Sequence, residues 1–166
     1  MNLPVQQDDA RAAARQVLEF PGADGVEVVV SGSTIGLTRY ANSQIIQNTV
    51  RNEVHAHVRV VVGDRVAQAS TNQLDAKHMK RAAERALEAA RSSPADEAFP
   101  GLPDPTDVGR AEGTYRWDEA TADAAPAVRA RAVGELLDAV GGGSAAGIYE
   151  TSRHSYGVFS STGIDC

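Results

Sequence analysis

Histidines offer the first chemistry to test in this chain. His55 and His57 stand two apart in a strand-like run, so they share one face and could hold a metal ion if a third ligand approached. Zinc requires three or four such ligands, and the neighbours on that face, Arg51, Glu53 and Arg59, read more simply as a solvated charged surface. His78 falls on a helical pattern between Lys77 and Met79 and reads as a boundary residue. His154 lies beside Ser152 and Ser155 in an expected turn, but closeness in sequence is not the geometry of a nucleophile and its base. Gly141-Gly142-Gly143-Ser144 follows a helical pattern and has no P-loop lysine, so it reads as helix termination rather than a phosphate cradle. His-Glu-x-x-His, His-Glu-x-x-x-His, Cys-x-x-Cys and Gly-x-Ser-x-Gly are all absent. The residues alone supply no catalytic set.

The elements that must position these groups centre on Val50 to Val62. Arg51, Glu53, His55, His57 and Arg59 alternate with Val50, Val54, Ala56, Val58 and Val60, the pattern of a half-buried strand. Gly63-Asp64 then turns the chain back along Arg65 to Ser70 as an antiparallel partner. The stretch from Asp75 to Arg91 is suited to cover the apolar face. Met79, Ala82, Ala83, Ala86, Leu87 and Ala90 recur at helical spacing, opposite Lys77, Lys80, Arg81, Glu84, Glu88 and Arg91.

Upstream, Asp8 or Asp9 is expected to cap a helix running to about Glu19, stopped by Pro21-Gly22. Val26–Ser31 and Thr34–Tyr40 are expected as two strands of a hairpin about Gly32-Ser33, with a further turn at Ala41-Asn42-Ser43. Downstream, four of the seven prolines fall within twelve residues of an acidic stretch, the composition of a linker or long loop. Pro126 then opens a helix with Val133, Leu136, Leu137 and Val140 on one face. Ala145–Thr151 and Ser155–Ser161 read as two short strands about Ser152-Arg153-His154.

The fold class is therefore α+β: an antiparallel or mixed sheet with helices on one face, then a linker and a smaller helix plus β-hairpin unit. In domains this gives an N-terminal α+β domain at 1–93, an acidic Pro-rich linker at 94–120, and the incomplete start of a further region at 121–166.

Composition limits what this fold can do. Of the 166 residues 28 are Ala and only 5% are aromatic, so large side chains for filling a core are scarce. The net charge of −6 resides in one stretch: between Ser92 and Ala125 eight acids face Arg110 and Arg116, and the rest of the chain sums to zero. No basic stripe follows a phosphate backbone, which argues against nucleic acid as a partner. No run approaches the ~18 apolar residues of a membrane span, and Asp8, Asp9, Arg11, Arg15 and Glu19 interrupt any signal-peptide core. A lone Cys166 forms no internal disulfide, and a cytoplasmic location is expected.

Against this background, Asp24–Ser31, with the sequence DGVEVVVS, and Thr38–Asn48, with TRYANSQIIQN, resemble the N-terminal domain of the TldD/PmbA family. The strand–Gly-Asp–strand–helix that follows and Pro100-Gly101-Leu102-Pro103 extend the resemblance over roughly Asp8 to Pro105, and more loosely to the end. Members are also called TldE or modulators of DNA gyrase. The resemblance implies a metallopeptidase in which a TldD-type subunit carries zinc on a His-Glu-x-x-x-His helix and pairs, as a homo- or heterodimer, with a TldE-type subunit that lacks the full set. It also implies peptides or unfolded chains as substrates.

None of those ligands maps onto this chain, which is then expected to be an N-terminal piece, inactive alone. Zinc is expected in further sequence or in the partner subunit. The implied role is a non-catalytic assembly and substrate-access domain, with Arg39, Tyr40 and Asn42 at a strand end as the candidate substrate or partner contacts. Their alternative is turn formation plus a solvated charge. The alternative function is a free-standing adaptor docking through the acidic Pro-rich segment.

Overall fold

The structure, a computed structural model, describes residues 3–108 and 117–166. Residues 109–116 of the linker region, with Arg110, Glu112 and Arg116, lie outside the described residues. The elements run α1 (Gln7–Arg15), β1 (Gly25–Ala41), β2 (Gln44–Val62), β3 (Arg65–Thr71), α2 (Ala76–Ser92), α3 (Glu119–Ala122), α4 (Pro126–Ala139) and β4 (Gly147–Ser160). The strands form one open antiparallel sheet in the order β3-β2-β1-β4, and the α+β class is the one expected.

Two expected turns are instead continuous strand. Gly32 keeps extended backbone and β1 runs unbroken for 17 residues, because the alternation of Val26, Val28 and Val30 continues through buried Gly32, Gly36 and Thr38. The hairpin turn falls at Asn42-Ser43, where φ values of 50° and 56° give the two left-handed residues that a tight connection of right-twisted strands requires. Likewise Ser152-Arg153-His154 sits inside β4, so the expected hairpin at 145–161 is one strand of 14 residues. The turn at Gly63-Asp64 forms as expected, with φ 56° at Gly63 and β3 paired antiparallel from Val62↔Arg65 to Ala56↔Thr71.

Helix α1 is shorter than expected. Its N-cap is Gln6, without a side-chain cap, and Asp8 and Asp9 fall in the first turn, where acids favour the positive helix end. Helix α4 begins at Pro126 as expected but buries Arg129 and Val133, leaving Leu136 and Val140 exposed. The glycines after it do terminate it, with Gly141 and Gly142 at positive φ.

Contacts gather the chain into two compact units built from interleaved segments. One unit comprises Ser33–Glu53 with the described parts of Thr114–His154 and Met1–Pro4; the second comprises Val5–Gly32, Ser155–Cys166 and the described part of Val54–Gly113.

The second unit holds the aliphatic core. Val26, Val28 and Val30 from β1 and Ala56, Val58 and Val60 from β2 are almost wholly buried with Met79, Ala82, Ala83 and Ala86 of α2. The apolar stripe of α2 matches the one read from its spacing, and its small alanines let the helix approach the sheet closely. Asp75 caps this helix, accepting from Lys77 N at 3.1 Å and His78 N at 3.3 Å. The Pro-rich stretch is tied down where it is described: Asp96 N donates to Asp64 O (2.7 Å) and Pro103 O accepts from Thr162 Oγ1 (2.7 Å).

In the first unit, side chains join β1 to β2. Thr38 Oγ1 donates to Asn48 Oδ1 at 3.1 Å, and Thr34 Oγ1 to Asn52 Oδ1 at 2.8 Å. Asn48 Nδ2 reaches on to Pro126 O at the start of α4 (3.0 Å). Arg129 of α4 is 1% exposed and donates to Ala124 O (2.8 Å) and Thr151 Oγ1 (3.2 Å). A Cβ at Gly36 would sit 2.5 Å from its Cζ, so only glycine lets the guanidinium lie against β1 there.

Candidate functional site

Side chains alternate across a strand, so the β1 residues that face away from Gly36 and Thr38 are Ile35, Leu37 and Arg39. In the first unit these line a groove of about 500 Å³ with Gln47, Thr49 and Arg51 of β2 and Ile148 and Glu150 of β4. Its walls are strand residues alone. Of these, Ile35 and Leu37 are half-buried, whereas Arg39, Arg51, Ile148 and Glu150 are exposed. Arg51 Nε lies 3.1 Å from Glu53 and is engaged there. Neither Arg39 nor Glu150 has an ion-pair partner among the described residues.

The three candidate contacts at this strand end do not converge. Arg39 lines the groove. Tyr40, next along the strand, points to the opposite side, and its hydroxyl lies 2.6 Å from where a Cβ on Gly147 would stand. Asn42 holds the left-handed turn. The sequence signal thus marked one groove residue, while Ile35, Leu37 and Ile148 acquire their role only when three strands lie side by side.

A second feature of the first unit is the outer edge of β2. Strand β3 pairs only with Ala56–Val62, so Gln44–Glu53 have β1 on one side and no strand among the described residues on the other. Gln44–Asn52 are all exposed, including Ile45 (40%), Ile46 (60%) and Val50 (49%). Unpaired backbone beside exposed β-branched side chains is a template for another strand.

The other chemistry-bearing residues take structural parts. In the second unit the rings of His55 and His57 stack with centroids 6.5 Å apart on an exposed face. Among the described residues no group of three His, Cys, Asp or Glu side chains could hold a metal ion, so these residues do not fit the zinc that the resemblance implies. His78 Nδ1 bonds Asp75 Oδ2 at 2.7 Å, which with the capping N–H groups holds the Asp75 carboxyl below the usual carboxylate range. Ser152 and His154 line a second cleft, of about 490 Å³, with Trp117, Asp118 and Arg153. The acids near that cleft are committed elsewhere: Asp118 caps α3 through Thr121 N (2.7 Å), and Asp123 pairs with Arg153 (2.7 Å). Ser155 Oγ accepts from Val5 N at 3.1 Å. None of this is a nucleophile and an oriented base.

A long-stranded α+β domain with a helix-covered half-sheet and no catalytic constellation among its described residues is the class these features define. Residues 26–90 match the family model described as PmbA/TldA metallopeptidase domain 1. This stretch is therefore similar to the first domain of the PmbA/TldD family. A search of curated protein sequences returned no match.

Among solved structures, TldE from Thermococcus kodakarensis superposes with TM-score 0.78 at 18% identity, over 96% of this chain and 35% of that one. A candidate modulator of DNA gyrase from Bacteroides thetaiotaomicron VPI-5482 gives TM-score 0.81 at 17% identity, over 96% and 37%. Another described in the same words, from Thermotoga maritima MSB8, gives 0.64 at 12%, over 97% and 36%. At these identities the likeness is one of fold. The chain spans about a third of the length of these solved proteins.

Proposed function

We propose that these residues act as the non-catalytic N-terminal domain of a TldD/PmbA-type metallopeptidase subunit, giving it an assembly surface and an entry point for peptides or unfolded chains. The open outer edge of β2 at Gln44–Glu53 is the observation that supports this reading. An extended chain laid along that edge gains backbone hydrogen bonds that do not depend on its sequence, and a protease that takes unfolded polypeptide needs that tolerance. The exposed Ile45, Ile46 and Val50 add apolar contact to those bonds.

The bond-breaking step belongs elsewhere in this reading. When bound, zinc would polarise the scissile carbonyl and lower the pKa of its water, but the residues described here do not assemble its ligands. A partner subunit of the TldD/TldE type, or further sequence, supplies that chemistry. A cytoplasmic setting fits a chain whose single thiol has no internal partner.

The test is to incubate the chain alone, and with a zinc-loaded TldD-type subunit, with denatured casein. The chain alone gives no zinc-dependent cleavage, and the mixture captures casein through the β2 edge. Ile46→Lys with Val50→Lys removes that capture, because edge lysines oppose strand addition. Zinc-dependent turnover by residues 1–166 alone overturns the reading.

A further inference from the structure

The groove of the first unit is an aliphatic sheet surface of a kind that elsewhere in this molecule lies under a helix. In the second unit, α2 lies over Val28, Val30 and Val58 through a stripe of Met and Ala. In the first unit, α4 covers Gly36 of β1 with Arg129 and bonds Asn48 of β2 through Pro126 O. On the opposite side of β1, Ile35 and Leu37 are half-buried, Ile148 is 57% exposed, and strand residues alone line the hollow.

We infer that this groove docks an amphipathic helix of a partner polypeptide, one whose aliphatic stripe is flanked by a carboxylate. Size fits the occupant: three neighbouring strands span about 10 Å centre to centre, and a helix with its side chains is about 10–12 Å across. Charge then selects among helices. Arg51 is engaged by Glu53, whereas Arg39 carries a cation with no acid partner among the described residues. A carboxylate beside the stripe pairs with Arg39, while Glu150 on β4 repels acid on its own side and so fixes which way the helix lies. One cation beside one anion is too weak a field for a phosphate backbone, which requires several lysines or arginines in a row.

This docking deepens the assembly role proposed above and rests on it. Its test uses neither protease nor unfolded chain, so either idea can fail alone. The probe is a fluorescein-labelled synthetic helix of about four turns, roughly 14 residues. It carries leucines at i, i+3, i+4 and i+7 in an alanine–glutamine background, and one glutamate beside the stripe. Binding to the 166-residue chain is read by fluorescence anisotropy.

The glutamate helix binds. A version with lysine in place of the glutamate binds about three- to five-fold more weakly, the range of an exposed ion pair. A version with the leucines scrambled off one face binds at least about ten-fold more weakly, as loss of two or more methylene contacts requires. Arg39→Glu reverses the order of the glutamate and lysine helices, and Leu37→Glu weakens both. Arg39 is exposed, so its substitution leaves the far-UV circular dichroism and melting temperature unchanged and reports on docking alone. Equal binding of the striped and scrambled helices, or an unchanged order in Arg39→Glu, overturns the inference.

Discussion

The same strands meet two different fates in this molecule. In the second unit, Val28 of β1 and Val58 of β2 have no exposed surface, and α2 lies over them. In the first unit, β2 leaves Ile46 at 60% and Val50 at 49% exposed, and β4 leaves Ile148 at 57%. Strand composition does not decide this, since β-branched residues occupy both regions. What differs is the supply of a covering helix with small side chains on one stripe. Helix α2 offers Ala82, Ala83, Ala86 and Ala90 at helical spacing, whereas α4 turns Arg129 and Val133 inward. One region is closed by its own chain, and the other presents edge and groove.

The largest effect should come from emptying the closed region. Met79 has no exposed surface at the N-terminal end of the α2 stripe, so Met79→Ala removes a buried side chain and leaves a cavity. We expect a loss of about 2–5 kcal/mol, read as a lower denaturant midpoint with unchanged slope. A loss below about 1 kcal/mol would mean that α2 relaxes onto the sheet freely, and the contrast between the two regions would fail.

Next in size is a test of how the first unit packs at all. Gly36→Ala forces a methyl against the Arg129 guanidinium, which is buried and held by Ala124 O and Thr151 Oγ1. We expect a cost of about 1–3 kcal/mol. Removing the obstacle with Arg129→Ala in the same chain should recover at least about 1 kcal/mol relative to the sum of the single changes. Strict additivity in chemical denaturation would show that the two residues do not meet.

What could be read from sequence follows from how local each signal is. The α2 stripe and its Asp75 cap repeat over several turns, and Gly63 marks its turn through a conformation that glycine favours. Gly32-Ser33 misleads because a glycine–serine pair resembles a turn, yet no positive φ is needed when partner strands extend on both sides. Ser152-Arg153-His154 misleads for a similar reason. Its polarity suggests solvent, but Arg153 is held by Asp123, thirty residues earlier. The groove is the least legible feature, because Ile35, Leu37 and Ile148 come together only through strand pairing across more than a hundred residues. Arg39 was visible as a charged strand end. Tyr40 and Asn42 were visible too, but strand alternation and the turn separate them from it.

A smaller effect reports on the closed region from its rim. The Asp75 carboxyl lies below the usual range, first because the His78 ring bonds it and then because backbone N–H groups do. A carboxylate depressed in the folded state stabilises fully above its unfolded pKa, near 3.8, and that contribution fades as pH falls through the lower folded value. Asp75→Ala should therefore lower the melting temperature at pH 7 by roughly 3 °C, with the difference from the parent shrinking below about pH 4. Asp75→Asn keeps a capping oxygen without a titrating charge, so it should retain most of the stability at pH 7 and show less acid sensitivity in the same range. A pH-independent Asp75→Ala effect would assign the cap to geometry alone.

The smallest effect on stability should come from the open region, and it separates core from surface most directly. Ile46 is a large aliphatic side chain on a 19-residue strand, the kind of residue whose removal from an interior costs several kcal/mol. Here it is 60% exposed on an edge with no outer strand among the described residues, so little apolar area returns to water when it is changed. Ile46→Lys should leave the denaturant midpoint within about 0.5 kcal/mol of the parent, while a matched Val58→Lys at a fully buried site should fail to fold. If Ile46→Lys is instead as damaging as a core substitution, residues 44–53 are packed in solution by this chain itself, and both the edge and its assembly role lose their basis.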